Sequence, residues 1–265
     1  MKIINGKKLA TEVLDTIKQK IVDRVFRLAV ISTKDDPSSR LFVSMKKKKG
    51  SDIGIVVDEY NLFNENQSEL EKKINELGES YDGIVLQLPI REELDYEKLI
   101  SLIQVEKNPD MLGGLAETQS FEKGLFAPVV SAILKILQSE SIDYKNLKIA
   151  LLGKGILVGA PFSRYLESIG KDHFVVTIEN KEDIDKLIDF DIIISGVGVP
   201  NILQQKHIKS GSVLIDAGTS DLGGVMVGDI STDCYPVASV VSPVPGGVGP
   251  LTVAYLFYNL VMLSK

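Results

Sequence analysis

Lys46 and Gln87 are the candidate proton-handling pair of this 265-residue sequence. A lysine in a partly apolar cleft can have a lowered pKa and act as general acid or base. A glutamine amide beside it orients the amine without adding charge. Taken alone, the two residues also fit a solvated lysine and a glutamine capping a strand.

A second set of residues suits a phosphate-bearing ligand. Gly153-Lys154-Gly155-Ile156-Leu157-Val158-Gly159 lies after an apolar run and before a helical stretch, where backbone N–H groups and a helix N-terminus favour an anion. Its G-x-G-x-x-x-G spacing departs from the usual dinucleotide fingerprint, and a ligand-free strand–helix turn is the other reading. Gly196-Val197-Gly198-Val199-Pro200 and Asp216-Ala217-Gly218-Thr219 close two further apolar runs. Three glycine-marked strand ends in one parallel sheet share the edge where open α/β sheets bind ligands, which favours a dinucleotide. The run Ser242-Pro243-Val244-Pro245-Gly246-Gly247-Val248-Gly249-Pro250-Leu251-Thr252 is the most distinctive of all. Its prolines fix φ and its glycines admit backbone angles closed to other residues, as in a shaped loop that a flat ligand can approach.

Elements must hold these residues in place. Leu28–Ser32, Gly54–Val57 and Gly83–Pro89 are short apolar runs that predict strands. Helical patterns at roughly 38–51 and 67–77 separate them, the first announced by Asp36-Pro37-Ser38. Lys46 then falls on the helix after the first of these strands, and Gln87 at the end of the third. A helix is predicted over Pro128–Ser139, followed by strands at Lys148–Gly153, Phe174–Ile178, Asp191–Gly196 and Ser212–Gly218, a helix at about Pro161–Ile169 and a last helix over Leu251–Leu263. Strand–helix alternation argues for an α/β fold with parallel sheets, and the second half reads as a Rossmann-type unit.

Bulk properties narrow the class. Hydrophobic residues make up 44% and charged residues 25%, as in a soluble globular chain long enough for two domains. No apolar run approaches the roughly 20 residues of a membrane span, and the N-terminus lacks the apolar core of a signal peptide. Cys234 is the single cysteine, which excludes an intrachain disulfide and a cysteine-based zinc site. A cytoplasmic location and no metal are expected. A net charge of −6 argues against nucleic-acid binding; in the run Lys46–Lys49, at least two lysines are expected on a solvated helix face.

Several segments carry a family resemblance. Asp36–Lys46 resembles the folate-site helix of the bifunctional methylenetetrahydrofolate dehydrogenase/cyclohydrolase family, Val85-Leu86-Gln87-Leu88-Pro89 its glutamine-bearing strand, Gly153–Pro161 its cofactor turn, Gly228-Asp229-Ile230 its Gly-Asp-Val element, and Ser242–Thr252 its glycine–proline loop. The resemblance runs through nearly the whole chain in order. It implies an N-terminal α/β folate-binding domain at 1–135, completed by a C-terminal helix at 249–265, and a Rossmann-type NAD(P)-binding domain at 136–248. It implies oxidation of methylenetetrahydrofolate by hydride transfer to a nicotinamide, then hydrolysis of the methenyl product to formyltetrahydrofolate. By the same resemblance Lys46 is catalytic and Gln87 holds it. Phe42, Asp110, Pro243, Gly246 and Gly247 border tetrahydrofolate substrates, while Gly153, Lys154, Gly155, Gly198 and Thr219 bind NADP, with NAD as the other possibility. The loop from Pro243 to Pro250 is expected to shape a cleft between the domains, and a homodimer is implied.

Four departures stand beside the resemblance. The family's tyrosine, four residues before the lysine, is Phe42. Its Lys-Asp-Val-Asp-Gly motif, aligned on Gly113, puts Leu112 where the pterin-binding aspartate belongs, so that Asp110 would serve only with a loop shift. Its Pro-Cys-Thr-Pro helix start is Pro128-Val129-Val130-Ser131. Its Gly-Arg-Ser turn is Gly153-Lys154-Gly155, and Glu179 beyond the next strand would favour a ribose diol over a 2′-phosphate. The alternative these departures leave is a Rossmann-type dehydrogenase for another or modified substrate, with weak or lost cyclohydrolase activity.

Overall fold

The computed structural model describes residues 1–21, 24–113, 121 and 123–264. The chain forms two compact units, one of Thr11–Pro128 with Val253–Lys265 and one of Met1–Ala10 with Val129–Thr252. Each contains a parallel sheet.

In the first unit the sheet order is β3-β2-β4, with β2 at Arg27–Ser32, β3 at Val56–Asn61 and β4 at Gly83–Gln87. The central β2 is buried along all but its first residue, and its sequence, RLAVIS, is correspondingly apolar. The edge strand β3 carries Asp58, Glu59 and Asn61 and is only partly buried. It begins later than Gly54–Val57 suggested. Gly54 is instead the left-handed cap of helix α2 (Pro37–Ile53), with φ 83° and its N–H directed at the carbonyls of Gly50 and Ser51. At the other end of α2, Asp36 caps the helix by accepting from the Ser39 N–H at 2.8 Å, and Pro37 occupies the first turn. Helix α3 (Gln67–Ser80) starts at Asn66 in a reciprocal capping box with Glu69. Helices α1 (Gly6–Lys18) and α4 (Tyr96–Ser101) complete the set before Pro109.

The second unit holds helix α5 (Pro128–Ser139) and an all-parallel sheet in the order β1-β11-β8-β7-β5-β6. Its strands are β1 (Lys2–Ile3), β5 (Ile149–Leu152), β6 (His173–Val176), β7 (Ile192–Ser195), β8 (Val213–Asp216) and β11 (Val240–Ser242), and helix α6 (Gly159–Ser168) follows β5. Residues 1–10 fall in this unit because Lys2 and Ile3 pair with Val240 and Val241. Strand β6 ends before Ile178. Asn180 accepts from the Thr177 N–H at 2.6 Å and donates to the Val175 carbonyl at 3.1 Å, which turns the backbone out of the sheet. A hairpin of β9 (Ser220–Leu222) and β10 (Val225–Val227) turns on Gly223-Gly224, both at positive φ.

The last helix, α7 (Val248–Leu263), is apolar nearly all round, and Phe257, Leu260 and Val261 are at most 1% exposed. A Cβ at Gly50 would come within 3.4 Å of the Phe257 ring, and one at Gly83 would collide with Leu260. Gly83 therefore lets α7 pack close against β4, while Gly50, whose Cβ would collide with Val57 and the Ile55 carbonyl, lets α2 turn tightly into β3. Among the described residues no helix is long and apolar enough to cross a membrane.

Candidate active site

Lys46 and Gln87 meet. The Lys46 Nζ donates to Gln87 Oε1 at 2.8 Å, and the Gln87 Nε2 donates to the Leu88 carbonyl at 3.0 Å, which fixes the amide with its oxygen toward the lysine. The same carbonyl accepts from Ser39 Oγ at 2.8 Å, so the first turn of α2 is fastened to the end of β4. Ser32 of β2 stands beside Gln87 in the register, so α2 leaves the sheet edge at which Gln87 ends. Lys46 is 7% exposed. Burial pushes its amine below the usual lysine range, opposed by the charge of Asp110. The neighbouring Lys47 and Lys48 are exposed, Lys47 being paired with Glu59 at 2.7 Å.

Asp110 is the carboxyl whose charge reaches Lys46. Burial raises its carboxyl above the usual range, and the Lys46 charge pulls it back down. Leu112 is 5% exposed and packs in the apolar cluster of Leu70, Ile74, Leu99 and Ile100. Met111, fully buried, adopts φ 53°, a left-handed conformation that glycine takes without cost. Met111 and Gly113 both take left-handed backbone, at φ 53° and 90°, and the turn they shape brings Asp110 within reach of the Lys46 charge. The segment is held in place by neighbours. The Lys107 Nζ donates to the Tyr81 carbonyl at 3.0 Å, Asn108 Nδ2 to the Leu112 carbonyl at 2.7 Å, and Asn259 Nδ2 from α7 to the Pro109 carbonyl at 3.0 Å. Asn259 was not singled out in the sequence; one polar side chain inside an apolar helix was the available signal. Phe42 lies one turn before Lys46 on α2, half-buried, and brings a ring without a hydroxyl.

The second unit carries the glycine-marked edge. Leu152, Ser195 and Asp216 stand side by side at the ends of β5, β7 and β8, which puts Gly153, Gly196–Gly198 and Gly218–Thr219 together beyond them. Gly153 has φ 97°, and a Cβ at Gly159 would strike the Gly153 carbonyl, so α6 begins hard against the turn. No side chain caps the N-terminus of α6, but the Ala160 N–H donates to the Gly155 carbonyl at 3.0 Å and Pro161 has no N–H, so a ligand there would meet chiefly the Gly159 N–H. Gly198, at φ 73°, lies next to Thr219, and its carbonyl accepts from Ser220 Oγ at 2.8 Å. Lys154 is exposed beside the turn. Glu179 is exposed two residues past the Thr177 cap; hydrogen bonds from the Thr177 hydroxyl and its own backbone hold its carboxyl below the usual range.

The glycine–proline loop is a shaped turn. The Gly247 N–H donates to the Pro243 carbonyl at 2.9 Å, the Gly6 N–H to the Gly246 carbonyl at 2.9 Å, and Gly246 sits at φ 102°. A Cβ at Gly247 would collide with Ser242 Oγ, and one at Gly6 with the Gly247 carbonyl. Sequence reading quoted Asp216 and Asp229 within motifs but gave them no role; both are buried under this edge.

Two family models cover the chain. Residues 4–110 match the catalytic domain of tetrahydrofolate dehydrogenase/cyclohydrolase, and residues 128–265 match the NAD(P)-binding domain of the same enzymes. The chain is 33% identical to the bifunctional protein FolD of Mycoplasmopsis synoviae, covering 100% of both chains. It is 34% identical to that of Aquifex aeolicus, over 99% of this chain and 95% of the relative. Among solved structures, the bifunctional FolD methylenetetrahydrofolate dehydrogenase/cyclohydrolase of Campylobacter jejuni superposes with a TM-score of 0.91 at 29% identity, covering 100% of this chain and 99% of that one. The Trypanosoma brucei methylenetetrahydrofolate dehydrogenase-cyclohydrolase, solved with NADP and an inhibitor, gives 0.91 at 26% identity, with 99% and 97% covered.

Proposed function

This chain belongs to the tetrahydrofolate dehydrogenase/cyclohydrolase family, and on that premise we propose that it oxidises 5,10-methylenetetrahydrofolate to the methenyl form and hydrolyses that product to 10-formyltetrahydrofolate. The observation that carries the hydrolytic half is the desolvated Lys46 held by Gln87 at 2.8 Å.

The nicotinamide cofactor, when bound, supplies the acceptor for the hydride. Gly153, Gly155 and the Gly159 N–H at the start of α6 would hold its phosphates, and Gly198 and Thr219 its far end. We assign the folate chemistry to the unit that contains Lys46 and the cofactor to the unit that contains Gly153. Pro243, Gly246 and Gly247 then border the ligands through a backbone already held in shape.

In the hydrolysis, water adds to the electrophilic methenyl carbon. Neutral Lys46 takes one proton from the water. It returns that proton to the ring nitrogen as the carbon–nitrogen bond opens, and the hydroxyl proton of the adduct leaves to solvent as the formyl carbonyl forms. Burial supports this cycle because it raises the neutral fraction of the amine, and Gln87 fixes its direction. The Asp110 carboxylate would pair with pterin N–H donors while keeping Lys46 from becoming too weak a base.

NADP is the acceptor we assign, with Lys154 as the cation for the 2′-phosphate; the NADP complex of the Trypanosoma brucei relative supports this. Glu179 opposes it, and NAD remains the competing acceptor. We further propose a cytoplasmic homodimer, as the family resemblance implies. The test is reduction of NADP and NAD in parallel with methylenetetrahydrofolate, together with loss of the methenyl chromophore. Reduction with either and accelerated methenyl loss support the assignment. Cofactor binding with neither reaction would overturn it.

A further inference from the structure

Two carboxylates outside the folate chemistry are knotted beneath the glycine-marked edge. Asp216 ends β8 and is 2% exposed, and Asp229 is fully buried. Asp229 Oδ2 accepts from Ser195 Oγ at 2.7 Å and from the Val197 N–H at 2.8 Å, while Oδ1 accepts from the Val199 N–H at 2.9 Å. Asp216 Oδ1 accepts from the N–H groups of Gly218 at 3.1 Å and Asp229 at 3.2 Å, and Oδ2 from the Ile230 N–H at 2.9 Å. The six donors belong to the last residue of β7, to the segments after β7 and β8 and to the 229–230 backbone, so the pair ties the two ligand-facing turns to each other. The packing has no slack: a Cβ at Gly218 would strike the Asp229 carboxylate, and one at Gly228 that of Asp216.

All six donors are neutral groups. The titratable groups that face Asp216 are Asp229 and Tyr235. Burial foremost, with repulsion from Asp229, pushes the Asp216 carboxyl up to about 7 against the pull of its backbone hydrogen bonds. The pair thus changes by one negative charge near neutrality, directly under the turns that carry Gly198 and Thr219.

We propose that Asp229 and Asp216 are positioning residues for the nicotinamide cofactor, acting through the Val197–Val199 turn and the Gly218 backbone, and that the charge of the pair discriminates the oxidised ring, which is cationic, from the neutral reduced ring. The proposal rests on assigning the cofactor to this edge. Its physical basis is Coulombic: a second buried negative charge draws a cation in a low-dielectric site more strongly than it draws a neutral ring. Phosphates and ribose are common to both redox forms, so the ratio of their dissociation constants isolates the ring.

The experiment measures the dissociation constants of oxidised and reduced cofactor, in the absence of folate, at pH values on both sides of 7. The ratio of reduced to oxidised constants is expected to rise about fivefold as pH increases across this range. It should be flat in Asp216→Asn. Ser195→Ala keeps the Cβ but removes one donor to Asp229, so the pair holds its proton more tightly and the midpoint moves to higher pH; this variant carries the test if Asp216→Asn does not fold. A wild-type ratio constant within about twofold, with both forms bound, would overturn the proposal. Failure of either redox form to bind at any pH would instead remove the cofactor assignment on which it rests.

Discussion

The Lys46 amine and the Gln87 amide oxygen, 41 positions apart in sequence, lie 2.8 Å from each other on a lysine that is nearly closed to solvent. Loss of the amine should remove the hydrolytic step. In Lys46→Met, methenyl hydrolysis is expected to fall about 100-fold or more while the protein stays folded, because a buried amine has been exchanged for an apolar chain of similar length. Gln87→Glu sets a carboxylate against Nζ, which favours the ammonium. The part of the pH–rate profile that needs neutral lysine should therefore move up by about one unit or more. A profile that stays in place would show that Lys46 is not the titrating base.

Asp110 and Leu112 separate two versions of the same motif. Asp110→Asn should raise the folate KM about tenfold or more, with little change in melting temperature. Leu112→Asp should destabilise the fold by about 3 kcal/mol or more, since it puts an unpaired carboxylate into the Leu70–Ile100 cluster. Urea denaturation of both variants beside folate kinetics checks the pair; improved folate binding in Leu112→Asp would reverse the assignment.

Phe42→Tyr adds a hydroxyl one helical turn before Lys46. A polar group there can share the proton traffic of the lysine, so methenyl hydrolysis is expected to rise by about threefold or more. The half-buried position leaves stability within about 0.5 kcal/mol of the parent. Single-turnover hydrolysis gives the comparison directly.

Glu179 and Lys154 pull cofactor choice in opposite directions. Glu179→Gln removes a fixed negative charge and should raise the affinity for NADP relative to NAD by about tenfold, whereas Lys154→Ala should lower the same ratio. Calorimetric titration with both nucleotides reads the ratio without turnover.

Asp216 also links stability to pH. Its folded pKa of about 7 lies above the ordinary 3.8, so between these values the folded chain binds a proton that the unfolded chain has released. Stability from this group is therefore greatest at the acid end and is lost as pH rises through 7, by up to about 4 kcal/mol. Melting curves from pH 5 to 8 should show a smaller decline with rising pH in Asp216→Asn than in the parent.

Local sequence carried much of the architecture. Apolar runs such as GIVLQ and KIALLG name strands because burial on both faces of a parallel strand demands continuous apolar residues. Asp36-Pro37 announces α2 because a cap and a fixed φ act within one turn. The glycines at 153, 198 and 246 do occupy positive φ, a property of single residues. Less was legible where the signal was short or distant. The two residues of β1 are stabilised by a partner more than 230 positions away in sequence, and nothing in Lys2-Ile3 reports it.

The sequence by itself therefore determined the order of the elements, the two sheets and the edges at which Lys46, Gln87 and the glycine turns had to lie, since these follow from periodicity and local backbone preference. Only the tertiary structure decided which side chains share a site and what charge they bear. Asp110 and Lys46 feel each other's charge because the fold brings the 107–113 turn and α2 together from distant parts of the chain. Lys46 and Asp216 acquired shifted proton affinities because desolvation depends on the whole shell of neighbours brought in from distant parts of the chain.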